Sequence, residues 1–479
     1  MAMTTSLRIT PRALPLAAVA IAVLAAMLPL SGAAQTNGST PKTPEQPAPG
    51  SAATAVSLNL EQAYRAALEQ DAVIRAATAG AAARRERLPQ ARAQLLPNVS
   101  ATASRFRNDL ATTQPGFGGV PLHSEQMYNS GNRALTIRQP LYRPLNFADY
   151  QQAKAQVEDA NATLDKELQN VAVRVSGAYL EGLLAQDQLA LVLAQKEAYT
   201  TQLDAARRRF AAGAGVRTDI DEAQARVDMT IAQELEARQN LGYTKRQLQV
   251  LVNTPIASLA TVDPDKLRAA QPAPGQLQEW TERAEQASPE LRSLRAQQEV
   301  ARQEIEKARA GHKPTVDAIA QWSVSDSDNV TRVDTKYNSK SIGVQVNIPI
   351  FAGGYVSSQV RQALAEQERI DNAFEATRRD LALRVEKEYR GITEGALRIR
   401  ALEQAVRSAE TMVQSNRRSY EAGSRTLVDI LNAEQERVSA MRDLANARYV
   451  YMMSRIRLRA LAGQADDQAV RELNGWLKL

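Results

Sequence analysis

Tyr420-Glu421-Ala422-Gly423-Ser424-Arg425-Thr426-Leu427-Val428-Asp429-Ile430 has a partner 210 residues earlier, Phe210-Ala211-Ala212-Gly213-Ala214-Gly215-Val216-Arg217-Thr218-Asp219-Ile220. An aromatic, a glycine three residues on, an aspartate nine on and an isoleucine ten on recur in register. Each copy ends one heptad-patterned run and precedes another helical run. A glycine among small polar residues, set between two such runs, is where a helix ends in a left-handed residue and the chain reverses. The chain is therefore expected to form two long helical hairpins that turn at Gly213 and Gly423.

The runs that lead into the tips are unusually long. No proline occurs from Leu145 to Leu251 or from Ala352 to the C-terminus. Val157, Leu164, Val171, Ala178, Ala185, Val192 and Tyr199 are seven residues apart. So are Leu168, Val175, Gly182, Leu189, Lys196, Leu203 and Phe210. The second run repeats the device with Val385, Ile392, Ile399, Val406, Val413 and Tyr420. A sustained heptad means helices packed as a coiled coil. About 65 helical residues at 1.5 Å each reach roughly 100 Å. Lys196 is the polar intruder, expected to lay its stem on the seam and send its charge to water.

Ahead of each long helix the period changes to two. Val99, Ala101 and Ala103 alternate with Ser100, Thr102 and Ser104, and Leu135 and Ile137 with Thr136 and Arg138, on either side of a glycine-rich loop. In the second half Val316, Ala318, Ala320, Trp322 and Val324 share one parity, with Ile319 the apolar exception on the other. Ile342, Val344, Val346, Ile348 and Ile350 do the same. Pro314 matches Pro97 at an offset of 217, and Pro349-Ile350-Phe351 matches Pro140-Leu141-Tyr142 at 209. The chain thus reads as an internal duplication. Residues 57–265 form a first repeat of helix, strands at about 97–108 and 133–142, long helix, tip at 210–220 and helix. Residues 266–465 form a second, with strands at about 314–325 and 340–351 and the tip at 420–430, followed by a tail at 466–479. A proline-rich segment, Thr254 to Gly275, separates the halves. One helical stretch is expected from Leu58 to about Arg87 and another onward to Leu95, with Pro89 arguing for a break or kink there.

Composition narrows the class. Only 5% of the 479 residues are aromatic, which suits long helices with thin apolar seams better than a thick core. The net charge of +6 is spread along the helices with both signs interleaved, as on a solvated surface, and no basic block with aromatics marks a nucleic-acid groove. There are no cysteines, so disulfides, thiolate metal sites, cysteine catalysis and a lipid attached through cysteine are excluded. The only histidines are His123 and His312, without triad or metal-ligand spacing, so no catalytic residue, metal or cofactor is assigned. Asp326-Ser327-Asp328-Asn329 lacks the glycine and terminal glutamate of a calcium loop and reads as an extracellular turn. Arg8 and Arg12, the apolar run from Ala13 to Leu30 and the small residues up to Ala34 read as an export signal, residues 1–34. A mobile linker rich in proline, 35–56, follows.

Apart from the signal, no apolar run is long enough for a membrane helix. The four alternating strands have the length and two-sided chemistry of outer-membrane strands, with Trp322 suited to an interfacial girdle. Val344, Val346 and Ile348 would then face lipid, and Gln345 and Asn347 the lumen. Four strands cannot close a barrel, and open edges are not tolerated in lipid. If the strands span a membrane rather than form a soluble, half-buried sheet, several chains must share one barrel.

Phe210 to Ala223, Tyr420 to Ala433, Gln139-Pro140-Leu141-Tyr142 and Ile348-Pro349-Ile350-Phe351 resemble the TolC family of outer-membrane efflux and type I secretion channels, and the likeness spans about Leu58 to Leu461. The resemblance implies a mixed, mainly α homotrimer, a 12-strand β-barrel continuous with a long coiled-coil α-barrel. It implies an exit duct in the outer membrane of a Gram-negative bacterium, most of it periplasmic, serving protein secretion, small-molecule efflux or both. A periplasmic adaptor (membrane fusion protein) and an inner-membrane ABC or RND pump would dock at the tips. Residue by residue, Thr218 and Asp219 match the outer-hairpin positions that hold such a channel closed, and Tyr420 and Arg425 their inner-hairpin partners, Tyr420 with Asp219 and Arg425 with Thr218. Asp429 matches a constriction ring of carboxylates. Asn432 departs from the pattern, which has a second aspartate there, and so implies a weaker negative field. Without the resemblance, Asp219 and Asp429 read as helix N-caps.

Two other classes remain open at this stage. A trimeric coiled-coil surface protein, structural or adhesive, usually carries its barrel strands at the C-terminus. A periplasmic adaptor should have one hairpin between β-rich halves.

Overall fold

A computed structural model describes residues 56–119, 121–269, 275–327 and 335–478. The export signal and all but the last residue of the linker lie outside the described residues, as does most of the turn after Ser327. Three short helices follow a short strand, β1 (Val56–Leu58): α1 (Leu60–Gln70), α2 (Ala72–Arg85) and α3 (Arg87–Ala93). Next come β2 (Asn98–Pro115), β3 (Pro121–Tyr142), α4 (Pro144–Ala211) and α5 (Arg217–Val252). The middle holds β4 (Ile256–Leu259), β5 (Thr261–Val262) and α6 (Pro264–Ala269). The second half is α7 (Leu277–Ala287), α8 (Pro289–Ala310), β6 (Thr315–Ser327), β7 (Thr335–Asn347), α9 (Tyr355–Glu421) and α10 (Leu427–Leu461), ending in α11 (Asp467–Gly475) and β8 (Leu477–Lys478).

The duplication is visible in the elements. α4 has 68 residues and α9 has 67, about 100 Å each. Each is preceded by an antiparallel strand pair, and the pairs join into one sheet in the order β2-β3-β6-β7. The alternation read from sequence is one continuous face, because directly paired residues point the same way. Val99 opposes Ile137, Ile137 opposes Ala320 and Ala320 opposes Ile342. Ile319, opposite Gly343, lies on the polar face.

The strands differ from expectation in two places. β2 and β3 run past the expected 97–108 and 133–142, pairing as far as Pro115 with Pro121 around a turn with Gly118 and Gly119 at φ of 80° and 81°. That arm has both faces exposed, so no buried side imposed a period of two on Asp109–Gln114. β7 ends at Asn347, so Ile348, Ile350 and Phe351 lie beyond it. Pro349 has no N–H for a ladder, and Gly353 and Gly354, at φ of 59° and 80°, turn the chain into α9.

The main core surrounds the middle of the long helices, where Leu60, Val175, Tyr179, Leu291, Val385, Ile392, Met452 and Ile456 are buried together. The expected helix from Leu58 to Arg87 is broken at Asp71. Its backbone is extended, its side chain accepts from the Val73 N–H at 2.9 Å, and Arg174 of α4 pairs with it. Pro89 instead sits within the first turn of α3, where its missing N–H costs nothing. The segment after Thr254 adds two short pairings, β1 parallel with β4 and β5 antiparallel with β8. The Tyr179 hydroxyl ties these together: it donates to Leu58 O and accepts from Ala260 N–H, both at 2.9 Å, and burial pushes its pKa up to about 12. β4 packs against α4 at Gly182, where an added Cβ would stand 2.9 Å from the tip of the Leu259 side chain. The C-terminal segment packs on this core through Val470, Leu473, Trp476 and Leu477. Lys196 does not simply reach water: its Nζ donates to Glu234 of α5 at 2.7 Å.

Candidate functional site

The site is the pair of tips at the end of the long helices remote from the sheet. Each tip closes with the same backbone bonds. At the first, Gly213 N–H donates to Phe210 O and Ala214 N–H to Arg209 O, both at 3.0 Å. At the second, Gly423 N–H donates to Tyr420 O at 3.0 Å and Ser424 N–H to Ser419 O at 2.9 Å. These are Schellman turns, and Gly213 and Gly423 take the left-handed φ of 72° and 76° they require.

The entries into the following helices differ. Thr426 is the N-cap of α10 and Asp429 its third residue: Thr426 N–H and Oγ1–H donate to Asp429 Oδ2 at 2.9 and 2.8 Å. Asp429 N–H donates back to Thr426 Oγ1 at 3.3 Å, completing a capping box. Arg425 adds an ion pair to Asp429 at 3.4 Å. The hydrogen bond from the Thr426 N–H is the main reason the Asp429 carboxyl lies below its ordinary pKa. Offset by 210, the N-cap of α5 is Val216, which has no side-chain acceptor. Neither aspartate is therefore the N-cap itself. Thr218 and Asp219 make no side-chain hydrogen bond or ion pair among the described residues.

The hairpins meet above the turns. Tyr199, Leu203, Ala206, Ala223, Val227, Leu427, Ile430 and Leu431 form a second buried cluster, with Ile220 and Tyr420 against it. The guanidinium of Arg209 lies over the Tyr420 ring, 4.4 Å from its centre. Arg226 of α5 donates to Asn432 Oδ1 at 3.0 Å and to Gln435 Oε1 at 2.5 Å, so the inner hairpin is tied to the outer through the asparagine that departs from the expected pattern. Within the second hairpin, Glu434 is only 1% exposed and lies between Arg417 and Arg437, the latter at 3.0 Å. The same positions in the first hairpin are Arg207 and Gln224, hydrogen-bonded at 2.9 Å. Sequence reading missed both pairs, although superposing the repeats at an offset of 210 would have shown Arg207 over Arg417 and Gln224 over Glu434. A cleft of about 810 Å³ opens farther along, between α4, α5 and α10, lined among others by Gln195, Tyr199, Arg226, Tyr243 and Arg442.

No helix among the described residues is long and apolar enough to cross a membrane. A half-apolar sheet joined to two paired hairpins of such length defines the class: a channel protein of the outer membrane with a helical extension. The comparisons agree. Residues 63–254 and 280–464 match the family described as Outer membrane efflux protein, one stretch in each repeat, and the chain belongs to that family. It is 35% identical over 415 residues to the alkaline protease secretion protein AprF of Pseudomonas aeruginosa, covering 86% of each chain. It is 31% identical over 430 residues to the proteases secretion protein PrtF of Dickeya chrysanthemi, covering 89% of this chain and 93% of that one. Its fold matches the crystal structure of the Campylobacter jejuni CmeC outer membrane channel with a TM-score of 0.73 at 16% identity, covering 88% and 90%.

Proposed function

We propose that three copies of this chain close a single 12-stranded barrel and a helical tunnel beneath it, the exit duct of a type I protein secretion system. The observation that carries the assembly is the sheet itself. β2 and β7 are its outer strands, one face carries an apolar band across all four strands at the end nearer the helices, and lipid tolerates no open edge. Met229, Tyr243 and Val250, at multiples of seven along α5, are 62%, 63% and 73% exposed, a stripe suited to a neighbouring helix. Secretion as the use rests on the likeness to AprF and PrtF. A periplasmic adaptor docks along the cleft between the hairpins, and an ABC pump supplies the substrate. An RND pump with small-molecule cargo is the second use, favoured only by the wider efflux family.

Thr218 and Asp219 act as acceptors for Tyr420 and Arg425 when the tunnel is shut, across chains or within one. The donor–acceptor chemistry is complementary, and Thr218 and Asp219 are uncommitted in the single chain. Asp429 forms a ring of three carboxylates at the mouth, where Asn432 adds none. Native mass measurement of the detergent-extracted protein should give three chains. A well-behaved monomer would rule the assembly out.

A further inference from the structure

Register places the side chains of the sheet in rows across its apolar face. One row is Val99, Ile137, Ala320 and Ile342, and the next Ala101, Leu135, Trp322 and Lys340. Then come Ala103, Arg133, Val324 and Asn338, followed by Arg105, Gly131, Asp326 and Lys336, with Arg107 beyond, opposite Asn129. Two contacts fix this face independently. Trp322 Nε1–H donates to Asn338 Oδ1 at 2.8 Å, and Asp326 Oδ1 would stand 2.8 Å from a Cβ on Gly131.

Away from the helices, the face therefore changes from apolar to basic within two rows. In these rows Lys340, Arg133, Arg105, Lys336 and Arg107 stand against one carboxylate, Asp326, with Asp109 and Glu125 following on the same face in the next two rows. All five cations are exposed, and none is in an ion pair among the described residues. The opposite face of the same rows holds Ser100, Thr102, Ser104, Gln321, Ser323 and Ser341 and no charge. A solvated surface would distribute its cations over both faces, so the confinement to the lipid-side face needs a reason.

We propose that this belt binds the phosphate groups of anionic glycolipid in the outer leaflet, rising directly from the apolar band that contacts the acyl chains. The inference rests on the reading that the apolar face meets lipid. Arginine forks take phosphate oxygens two at a time, and lysines supply point charges. Their stems lie along the band while the heads reach the headgroup layer. Trp322 marks the boundary, as girdle aromatics do. The space over Gly131 is taken by the Asp326 carboxylate, so the phosphates are met by the flanking Arg105, Arg107 and Arg133 rather than over the glycine. Continuity with the band favours lipid over a soluble acidic partner.

The test uses the full-length oligomer in detergent, checked for heat-resistant migration, with lipopolysaccharide, its enzymatically dephosphorylated form and a zwitterionic phospholipid as probes. Removing Arg105, Arg107 and Arg133 together as glutamines should weaken retention of lipopolysaccharide about fivefold per cation, roughly a hundredfold in all. Arg105→Lys with Arg107→Lys and Arg133→Lys should keep most of it, and the dephosphorylated probe should bind the wild type no better than the triple glutamine variant. Undiminished retention by the glutamine variant, or equal binding of the dephosphorylated probe, overturns the proposal. Because the chain has no cysteine, Val344→Cys and Gln345→Cys can carry a fluorophore for quenching by lipid-borne spin labels. Quenching at Val344 with undiminished retention sinks the belt alone. Absence of quenching at Val344 sinks the face assignment, and the belt with it.

Discussion

At the first tip the N-cap of α5 is Val216, which offers its helix no acceptor, while at the second the N-cap of α10 is Thr426, locked to Asp429 in both directions. Behind the first turn Arg207 donates to a neutral amide, Gln224; behind the second, a buried carboxylate, Glu434, lies between Arg417 and Arg437. The turns themselves are alike to within a few degrees of φ at their glycines. Duplication has kept the reversal and changed its anchoring. The second tip engages its own aspartate, whereas the first leaves Thr218 and Asp219 available to something outside their helix. That contrast suits the proposed gate, with one side firmly shaped and the other with unused acceptors.

The largest effect that could break this contrast is at Glu434. Glu434→Ala should destabilise the second hairpin by about 2–3 kcal/mol, below the about 3–5 of a fully buried pair because Arg417 is half exposed and can turn to water. Gln224→Ala, its counterpart, should cost only about 0.5–1 kcal/mol. Thermal unfolding of the two variants would show it, and equal losses would erase the asymmetry.

Next is the cap. Thr426→Ala should cost about 1 kcal/mol, read as faster amide hydrogen exchange in the first turn of α10, with α5 unchanged. Val216→Thr should slow exchange at the start of α5 by offering Asp219 the partner that Asp429 already has.

How far these features could be read in advance divides along physical lines. The hairpins, their tips and the strand faces were legible because heptads, glycine and parity are local patterns. The alternation even gave the correct face for Ile319. The pairings of β1 with β4 and β5 with β8 were not legible, since strands of two to four residues show no period. Nor were the bonds from Arg226 to Asn432 and from Lys196 to Glu234, which join distant helices and follow no spacing. Thr426 was within the quoted motif, but the conspicuous aspartate drew the reading to Asp429 as cap. Where Asp219 and Tyr420 go in the assembled channel depends on neighbouring chains, which one sequence does not position.

A smaller effect separates the tips by pH. The Asp429 carboxyl is held below its ordinary value, chiefly by the Thr426 N–H. A depressed carboxyl contributes stability that is present above the unfolded value, about 3.9, and lost as pH falls through the folded one. Acidification below about pH 4 should therefore loosen the start of α10 in the wild type and still, more weakly, in Thr426→Ala, which keeps the backbone N–H, whereas Asp429→Asn should abolish the response. Exchange rates at α10 that do not respond to acid in the wild type would contradict the capping role.

Single-channel conductance across a planar bilayer tests the gate most directly. Each proposed contact of Tyr420 and Arg425 with Asp219 and Thr218 should be worth only about 0.5–1.5 kcal/mol, so in the proposed trimer a set repeated three times would hold the tunnel shut and still yield to a docking partner. Tyr420→Phe with Arg425→Ser should leave trimer levels and heat resistance unchanged and raise conductance severalfold. Conductance equal to wild type, with trimers at normal levels, would contradict the account and leave these residues as parts of their own helices.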